Sequence, residues 1–332
     1  MSEFLDILAL SVKSLVSQSA VFFALMGVGL NLHFGYTGLL NFGQIGFALL
    51  GGYGVAISVS MWGLPLMAGV LIGVIAALVL ALLLGLPTLR LRADYLAIVT
   101  IAAAEILRLV FRSTPATPVT GATRGLSNFG QGFYGLAPFE TQGTYDFLGS
   151  TWTGREIWAC LVGWILVTLF SLLIWQLMRS PWGRVLKSIR EDEDAVRSLG
   201  KNVYSYKMQS LVLGGVIAAF GGMILVLATG SANPDQFQNA NTFLAYAALI
   251  LGGTARVLGP VIGAMILWFI IAFTDAGLAA LIRNGLIPEA ILSAPDVANI
   301  RFILVGIGLM LLLIFRPQGI FGDRREIVLD AR

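Results

Sequence analysis

Between Ser14 and Leu89 the chain carries no Asp, Glu, Lys or Arg. Charged side chains keep an exposed surface wet, so a run of this length cannot be solvated. Divided into pieces of about 20 residues, enough to cross a hydrocarbon core, it predicts several successive membrane spans. Only 12% of the whole chain is charged, against about 25% in soluble proteins. The sequence is that of an all-α polytopic membrane protein, a single transmembrane domain over residues 1–332. About 9–10 spans are expected. Counting back from a basic C-terminus on the inner face, the lower number puts the N-terminus outside and the higher one puts it inside. The net charge of +3 then reports cytoplasmic loops and gives no sign of nucleic-acid binding. Cys160 stands alone in an apolar run, so neither a disulfide framework nor a metal cluster is expected. The acidic start MSEFLD lacks the basic n-region of a cleaved signal peptide.

The first span, near Ser14–Phe34, ends on His33, the only histidine. A packed or interfacial role for it competes with a proton-carrying one. Gly35–Ser60 reads GYTGLLNFGQIGFALLGGYGVAISVS. Glycine costs a helix about 1 kcal/mol per residue in water, so two readings stand. Small residues can bring helices into close contact, or a broken helix can line a solute path. The polar pair Asn41 and Gln44 belongs to the second reading as candidate pathway residues. Met61–Leu86 is a plain span containing Gly69-x-x-x-Gly73, a weak helix-packing signal. Arg90 and Arg92 mark an inner turn. In the next span, Tyr95–Phe111, Glu105 must face protein or water. Arg108 stands three residues on, on the same face. Glu105 is therefore either one half of a structural ion pair or a pathway residue.

Residues 112–156 balance their charges and read as an extracytoplasmic loop region, either a connection or a docking surface. Ile157–Met178 spans back. Residues 179–207 are strongly basic and therefore cytoplasmic. Ser180-Pro181-Trp182-Gly183 makes a turn, and Arg184–Leu199 reads as one helix stopped by Gly200. Its stripe Val185, Ile189, Val196 and Leu199 lies opposite Arg190 and the acidic run Glu191, Asp192, Glu193, Asp194. The helix is too short and too charged to span. It is either a solvated surface helix or a docking helix for a soluble partner, with the apolar stripe as the contact and the acids setting its register.

Further on, Met208–Ala228 is a clean span and GSANPDQFQNAN an outer loop. Thr242–Gly253 is a short apolar piece, Val261–Leu281 a span holding Asp275, and Phe302–Phe315 a short final span. NFGQIGFALLGGYG and FLAYAALILGGTA each place Leu-Gly-Gly in a short or interrupted segment ahead of a clean span. That pattern predicts an internal two-fold repeat around a central pathway. There is no Gly-x-x-x-x-Gly-Lys-Ser/Thr loop, no His/Cys cluster and no Gly-x-Ser-x-Gly elbow. The chain is expected to be no enzyme and to hold no cofactor of its own.

Several blocks carry a family likeness. GYTGLLNFGQIGFALLGGYG, TLRLRADYLAIVTIAAAEILRLV, SPWGRVLKSIREDEDAVRSLGKNVYSYK, LGGTARVLGPVIGA and FRPQGIFG together sample most of Asn31–Gly322. The sequence resembles the membrane-spanning permease subunits of bacterial ABC importers for branched-chain amino acids, of the LivM type rather than the LivH type. It departs from the pattern at Gln44, where histidine is common, and at Thr254-Ala255-Arg256, where the turn is usually glycine-rich. The resemblance implies an ABC-permease fold in the bacterial inner membrane. It implies as partners a second permease (LivH-type or identical), two cytoplasmic ATPase subunits that bind the ATP, and an extracytoplasmic solute-binding protein. It also implies ATPase coupling through the helix that carries Arg184, Val185, Ile189, Arg190, Glu191, Asp192, Glu193, Val196 and Leu199. Urea, short amides or other amino acids are the alternative solutes within that class. An ion-coupled secondary transporter is the alternative class.

Overall fold

The computed structural model describes residues 2–91, 93–147 and 149–284, and within 300–322 the positions 300, 303, 304, 306–308, 310, 311, 314–316 and 319–322. Most of the polar stretch Arg283–Asn299, and five of the fourteen residues of the span read at Phe302–Phe315, lie outside the described residues.

Helix α1 (Ser2–Leu15) is followed by α2 (Gln18–Leu30), which widens into a π-helix over Asn31–Tyr36. After a turn come α3 (Gln44–Ser60), α4 (Leu66–Thr88) and α5 (Ala93–Arg112). The segment that follows holds short pieces: α6 (Thr117–Thr120), β1 (Leu126–Ser127), α7 (Gln131–Tyr134), and the hairpin β2 (Thr144–Phe147) and β3 (Ser150–Thr153). Then come α8 (Gly154–Arg179), α9 (Pro181–Glu191), α10 (Glu193–Ser198), α11 (Val203–Thr229), β4 (Ser231–Ala232), α12 (Ala240–Gly252) and α13 (Gly259–Arg283). Among the described residues, five stretches are long and apolar enough to cross a membrane: Phe4–Tyr36, Leu66–Thr88, Gly154–Arg179, Val203–Thr229 and Gly259–Arg283. α3 and α12 are shorter apolar helices.

α2 and α11 pack against each other at the centre. α3 lies on α11 and α12 lies on α2. α4 then covers α3 and α11, and α13 covers α12 and α2. This exchange of partners about one central contact is the arrangement that a two-fold repeat produces. The equivalence drawn from the letters is offset, however. Leu50-Gly51-Gly52 lies in the middle of α3, whereas Leu251-Gly252-Gly253 ends α12, with Gly253 at φ +112°.

The glycines of α3 work by close approach. A Cβ on Gly51 would overlap the Ala219 backbone of α11, and one on Gly54 would overlap Gly73 of α4. Helices with no apolar incentive to leave lipid associate through such contacts, and the packing offsets the helix-propensity cost. Of the two readings of Gly35–Ser60, close packing through small residues describes Gln44–Ser60, which is one helix, and the irregular backbone ends at Gly43. Gly69 and Gly73 pack on α3 as the spacing suggested.

A correction concerns Arg184–Leu199, which is two helices. Asp192 leaves the helical region (φ −154°, ψ 102°) and its side chain accepts from the Asp194 and Ala195 amides. An aspartate at that position satisfies the free N–H groups of a new helix better than it continues an old one. Glu193 and Asp194 then occupy the first turn of α10, where its dipole favours acids.

Candidate functional site

The region of interest is built from two interruptions in otherwise apolar helices. The first is residues 31–43, between α2 and α3. Here Asn31, His33, Thr37, Asn41 and Gln44 are buried, and so is Ser210 of α11. His33 Nε2 lies 3.1 Å from Ser210 O and 3.2 Å from Leu211 O. Carbonyls only accept, so Nε2 carries the proton and Nδ1 is the acceptor of a neutral ring. Asn41 Nδ2 donates to that Nδ1 at 3.2 Å and to Gln44 Oε1 at 2.9 Å. Gln44 Nε2 in turn donates to Gly214 O at 3.0 Å. Gly214 lacks the Cβ that would overlap the His33 ring, which is what lets the imidazole lie against the α11 backbone. His33 is thus a packed histidine.

The irregular backbone at the end of this first interruption is tied to neighbouring helices. Phe42 N donates to Thr100 Oγ1 of α5, Gly43 N to Asn41 Oδ1, and Ile45 N to Thr242 Oγ1 of α12. Asn41 O accepts from Tyr246 of α12 at 3.0 Å. Irregular backbone inside a membrane protein survives only when it is satisfied in this way. Asn31 reaches across to the turn after α12, donating to Arg256 O at 2.8 Å and accepting from Ala255 N at 2.9 Å.

The second interruption runs from Gly230 to Asn239, between α11 and α12. A 3₁₀ turn, Pro234–Phe237, is capped by Asn233. This segment meets α5 through charge. Arg108 donates from Nε to both Glu105 oxygens at 3.1 Å and from Nη1 to Asp235 at 2.9 Å, and Asn239 Nδ2 donates to Glu105 Oε2 at 3.1 Å. Arg112 lies 3.5 Å from Asp235. The pairing read from the Glu105/Arg108 spacing is therefore present, and it is one part of a wider network. The first interruption touches α12 through aromatic rings: Phe42 lies 4.8 Å from Tyr246 and 5.4 Å from Phe243, centroid to centroid.

The three residues read as a solute path are placed differently from one another. Asn41 and Gln44 are both 0% exposed, and the network above engages them. Glu105 is 35% exposed, on a face of α5 shared with exposed Ile98, Ala102 and Ile106. Sequence reading missed Asn31, Thr37, Ser210, Thr242 and Tyr246. The available signal was a polar group inside an apolar run, Ser210 and Thr242 being such cases.

At the opposite end of α11, α9 and α10 fold back onto the chain. Leu186, Ile189 and Val196 are buried in the protein's own core and Val185 is half-buried, whereas Leu199 is 79% exposed. The stripe Val185, Ile189, Val196 is therefore not a free contact surface, because the chain itself covers it. The outward surface is charged: Arg184, Lys187, Glu191 and Asp194 are exposed. Glu193 bridges Arg197 (2.7 Å) and Lys207, and Asp194 bonds Arg197 at 2.8 Å. Gly200 stops α10 with φ +76°. Arg190 Nη1 donates to Gly35 O, at the π-helix, and its methylenes lie beside Gly38. Lys187 Nζ sits 5.8 Å from the centre of the Tyr36 ring. The charged helix α9 thus rests directly on the first interruption.

Broken helices meeting inside an apolar bundle, with a charged helix seated against one break, define a multi-pass membrane protein of the transporter class. Comparison with known sequences narrows this. Residues 14–314 match the family model described as branched-chain amino acid transport system / permease component. The chain is 30% identical over 314 residues to the high-affinity branched-chain amino acid transport system permease protein LivM of Escherichia coli K12, covering 92% of this chain and 69% of that one. It is 24% identical over 348 residues to a probable branched-chain amino acid transport permease protein LivM of Methanocaldococcus jannaschii, covering 93% and 94%. A shorter match, 32% over 107 residues, is to the fructose import permease protein FrcC of Rhizobium meliloti. The chain belongs to the branched-chain amino acid transport permease family.

Proposed function

We propose that this chain is the membrane-spanning permease subunit of an ATP-driven importer, and that its solutes are leucine, isoleucine and valine. The observation that carries this reading is the match to the permease family over residues 14–314. The partners are a second permease, LivH-type or a copy of this chain, two ATPase subunits, and an extracytoplasmic protein that delivers the amino acid. ATP binds to the ATPase subunits. The end bearing α9 and α10 is cytoplasmic, in keeping with its excess of Lys and Arg, and the C-terminus lies on that side.

In this reading the ATPase grips the charged outer surface of α9 and α10, together with exposed Leu199. Closure of the ATPase pair pushes α9, and Arg190 passes the displacement to Gly35 and hence to the first interruption. An interface transmits such a push when the element it moves has two discrete packings. Asn41 and Gln44 hold one of those packings and join the path when the interruption opens. Glu105 faces the path throughout.

The test is competition uptake into vesicles holding the complete reconstituted complex, with labelled leucine against unlabelled leucine, phenylalanine, glutamate and urea. Only leucine and its aliphatic relatives should compete strongly. Competition by urea alone would move the solute to short amides. Uptake that persists without the ATPase subunits would place the chain among secondary transporters.

A further inference from the structure

A cavity of about 330 Å³ lies at the second interruption, beside the opening turn of α12. Its volume falls within the range of small-molecule sites, about 300–1,000 Å³. Phe22, Phe23, Leu225, Leu244 and Ile271 supply an apolar wall. Ser19, Thr229, Gln236 and Asn241 supply polar atoms, of which Thr229 Oγ1 donates to Leu225 O and one N–H each of Gln236 and Asn241 is used on Ser231 Oγ and Gln236 O, leaving the second amide N–H of each. An apolar wall with a few polar groups is the lining that small amphipathic ligands select. A larger space along α8, about 800 Å³, serves as a contrast. Leu161, Ile165, Leu169 and Leu172 dominate it, and its Trp164 and Thr168 donate to Val16 O and Trp164 O. That lining suits lipid tails.

Trp268 of α13 also lines the smaller cavity, and its ring tilts against Phe23 at 5.5 Å. Its Nε1 is buried with no hydrogen-bond partner among the described residues. Trp158 and Trp164, by comparison, donate to Phe133 O and Val16 O. A buried donor left unpaired is costly, and one that persists calls for a ligand.

We propose that this cavity is a station for a free aliphatic amino acid. The hydrocarbon side chain lies on the Phe22, Leu244 and Ile271 wall, and the carboxylate is held by donors at the polar end, Trp268 among them. The proposal rests on the reading of the chain as an amino-acid permease. It places the solute between α2, α11, α12 and α13, away from the sealed Asn41–Gln44 centre.

Uptake of labelled leucine by the reconstituted complex, run with wild type, Trp268→Phe, Leu244→Trp and Leu161→Trp, tests it. Leu244→Trp fills the cavity, and Leu161→Trp adds the same bulk on the outward face of α8. Trp268→Phe keeps the ring and removes the donor. The expected result is a KM for leucine raised about fivefold by Trp268→Phe, the factor of one neutral hydrogen bond. Leu244→Trp should raise it at least about tenfold by excluding the side chain. Leu161→Trp should match wild type, and ATP hydrolysis should survive in all four. Photo-leucine bound to the wild-type complex should label peptides of α12 or α13, and unlabelled leucine should suppress the labelling. Wild-type KM in both cavity variants, or photo-labelling confined to other helices, overturns the station while leaving the permease reading intact. Failure of the wild-type complex to take up any aliphatic amino acid removes both.

Discussion

The two interruptions of this molecule are built alike and finished differently. Each precedes a short helix, α3 or α12, and each carries two asparagines. Residues 31–43 are closed: none of the polar side chains of Asn31, His33, Thr37, Asn41 or Gln44 is left buried without a partner. Around residues 230–239 the finish is incomplete. Asn239 Oδ1 is buried without a partner among the described residues, and a cavity lined by Gln236 of this segment also holds the unpaired Trp268 Nε1. A closed polar network rigidifies and specifies one arrangement, whereas an incomplete one leaves capacity for a ligand. In the proposed reading the first interruption holds and transmits, and the second contacts solute.

The largest effect expected from breaking this contrast is at Asn41. Asn41→Leu strips partners from His33 Nδ1, Gln44 Oε1 and the Gly43 amide at once. Each buried group left unpaired costs about 1–3 kcal/mol, so a loss of roughly 3 kcal/mol or more is expected. It should appear as a fall of the melting temperature in detergent, with uptake falling in parallel. Asn239→Leu removes a bond to a partly exposed Glu105 and a long one, 3.5 Å, to Ile101 O. It should leave the melting temperature nearly unchanged while altering uptake. Equal destabilisation by the two substitutions would abolish the distinction drawn between the two regions.

A smaller effect is expected at Arg190, where α9 meets the closed interruption. Arg190→Gln replaces a charge-assisted donor to Gly35 O by a neutral and shorter one. The loss corresponds to about tenfold in coupled uptake, taking about 1.5 kcal/mol for the charge contribution. ATP hydrolysis by the assembled complex should continue, because the residues proposed to face the ATPase are unchanged. If uptake and hydrolysis fall by the same factor, Arg190 acts in assembly, and the first interruption is not the transmitting one.

How much of this was legible beforehand follows the kind of signal each feature leaves. The uncharged run Ser14–Leu89 announces membrane spans because solvation of ions is a large, local effect. Glycine in α3 was ambiguous because its helix cost and its packing value are similar in size, and only the neighbour decides. Gly73 and Ala219 decided for packing, while the interruption itself sits earlier, at residues 31–43. The amphipathic stripe of α9 and α10 told correctly that one side needed covering. It carried no information on whether a partner or the chain itself would do so. Gly183, Leu186 and Ile189 show that the chain does. The second interruption was read as an ordinary outer loop, because GSANPDQFQNAN reports polarity and not depth. Trp268 was invisible, since an indole inside a span looks like core until its N–H is found unpaired.

The smallest effect expected is a gain, and it probes how tightly the closed interruption is tied to the second half. Ala255 has φ +57°, the left-handed region, where a Cβ costs an L-residue about 1–2 kcal/mol. It holds that conformation while Asn31 grips the turn from both sides, at Ala255 N and Arg256 O. Ala255→Gly removes the steric cost but also loosens the unfolded chain, which returns part of the gain. The net expectation is about 0.5–1 kcal/mol of added stability, read as a small rise in melting temperature. The same substitution made together with Asn31→Ala discriminates between two roles for the asparagine. If Asn31 exists to hold a strained alanine, the glycine should recover part of the stability lost without the clamp. If no recovery is seen, the value of Asn31 lies in tying the π-helix to the α12–α13 turn. Displacement started at Arg190 would then be carried through that tie into the half of the molecule that holds the cavity.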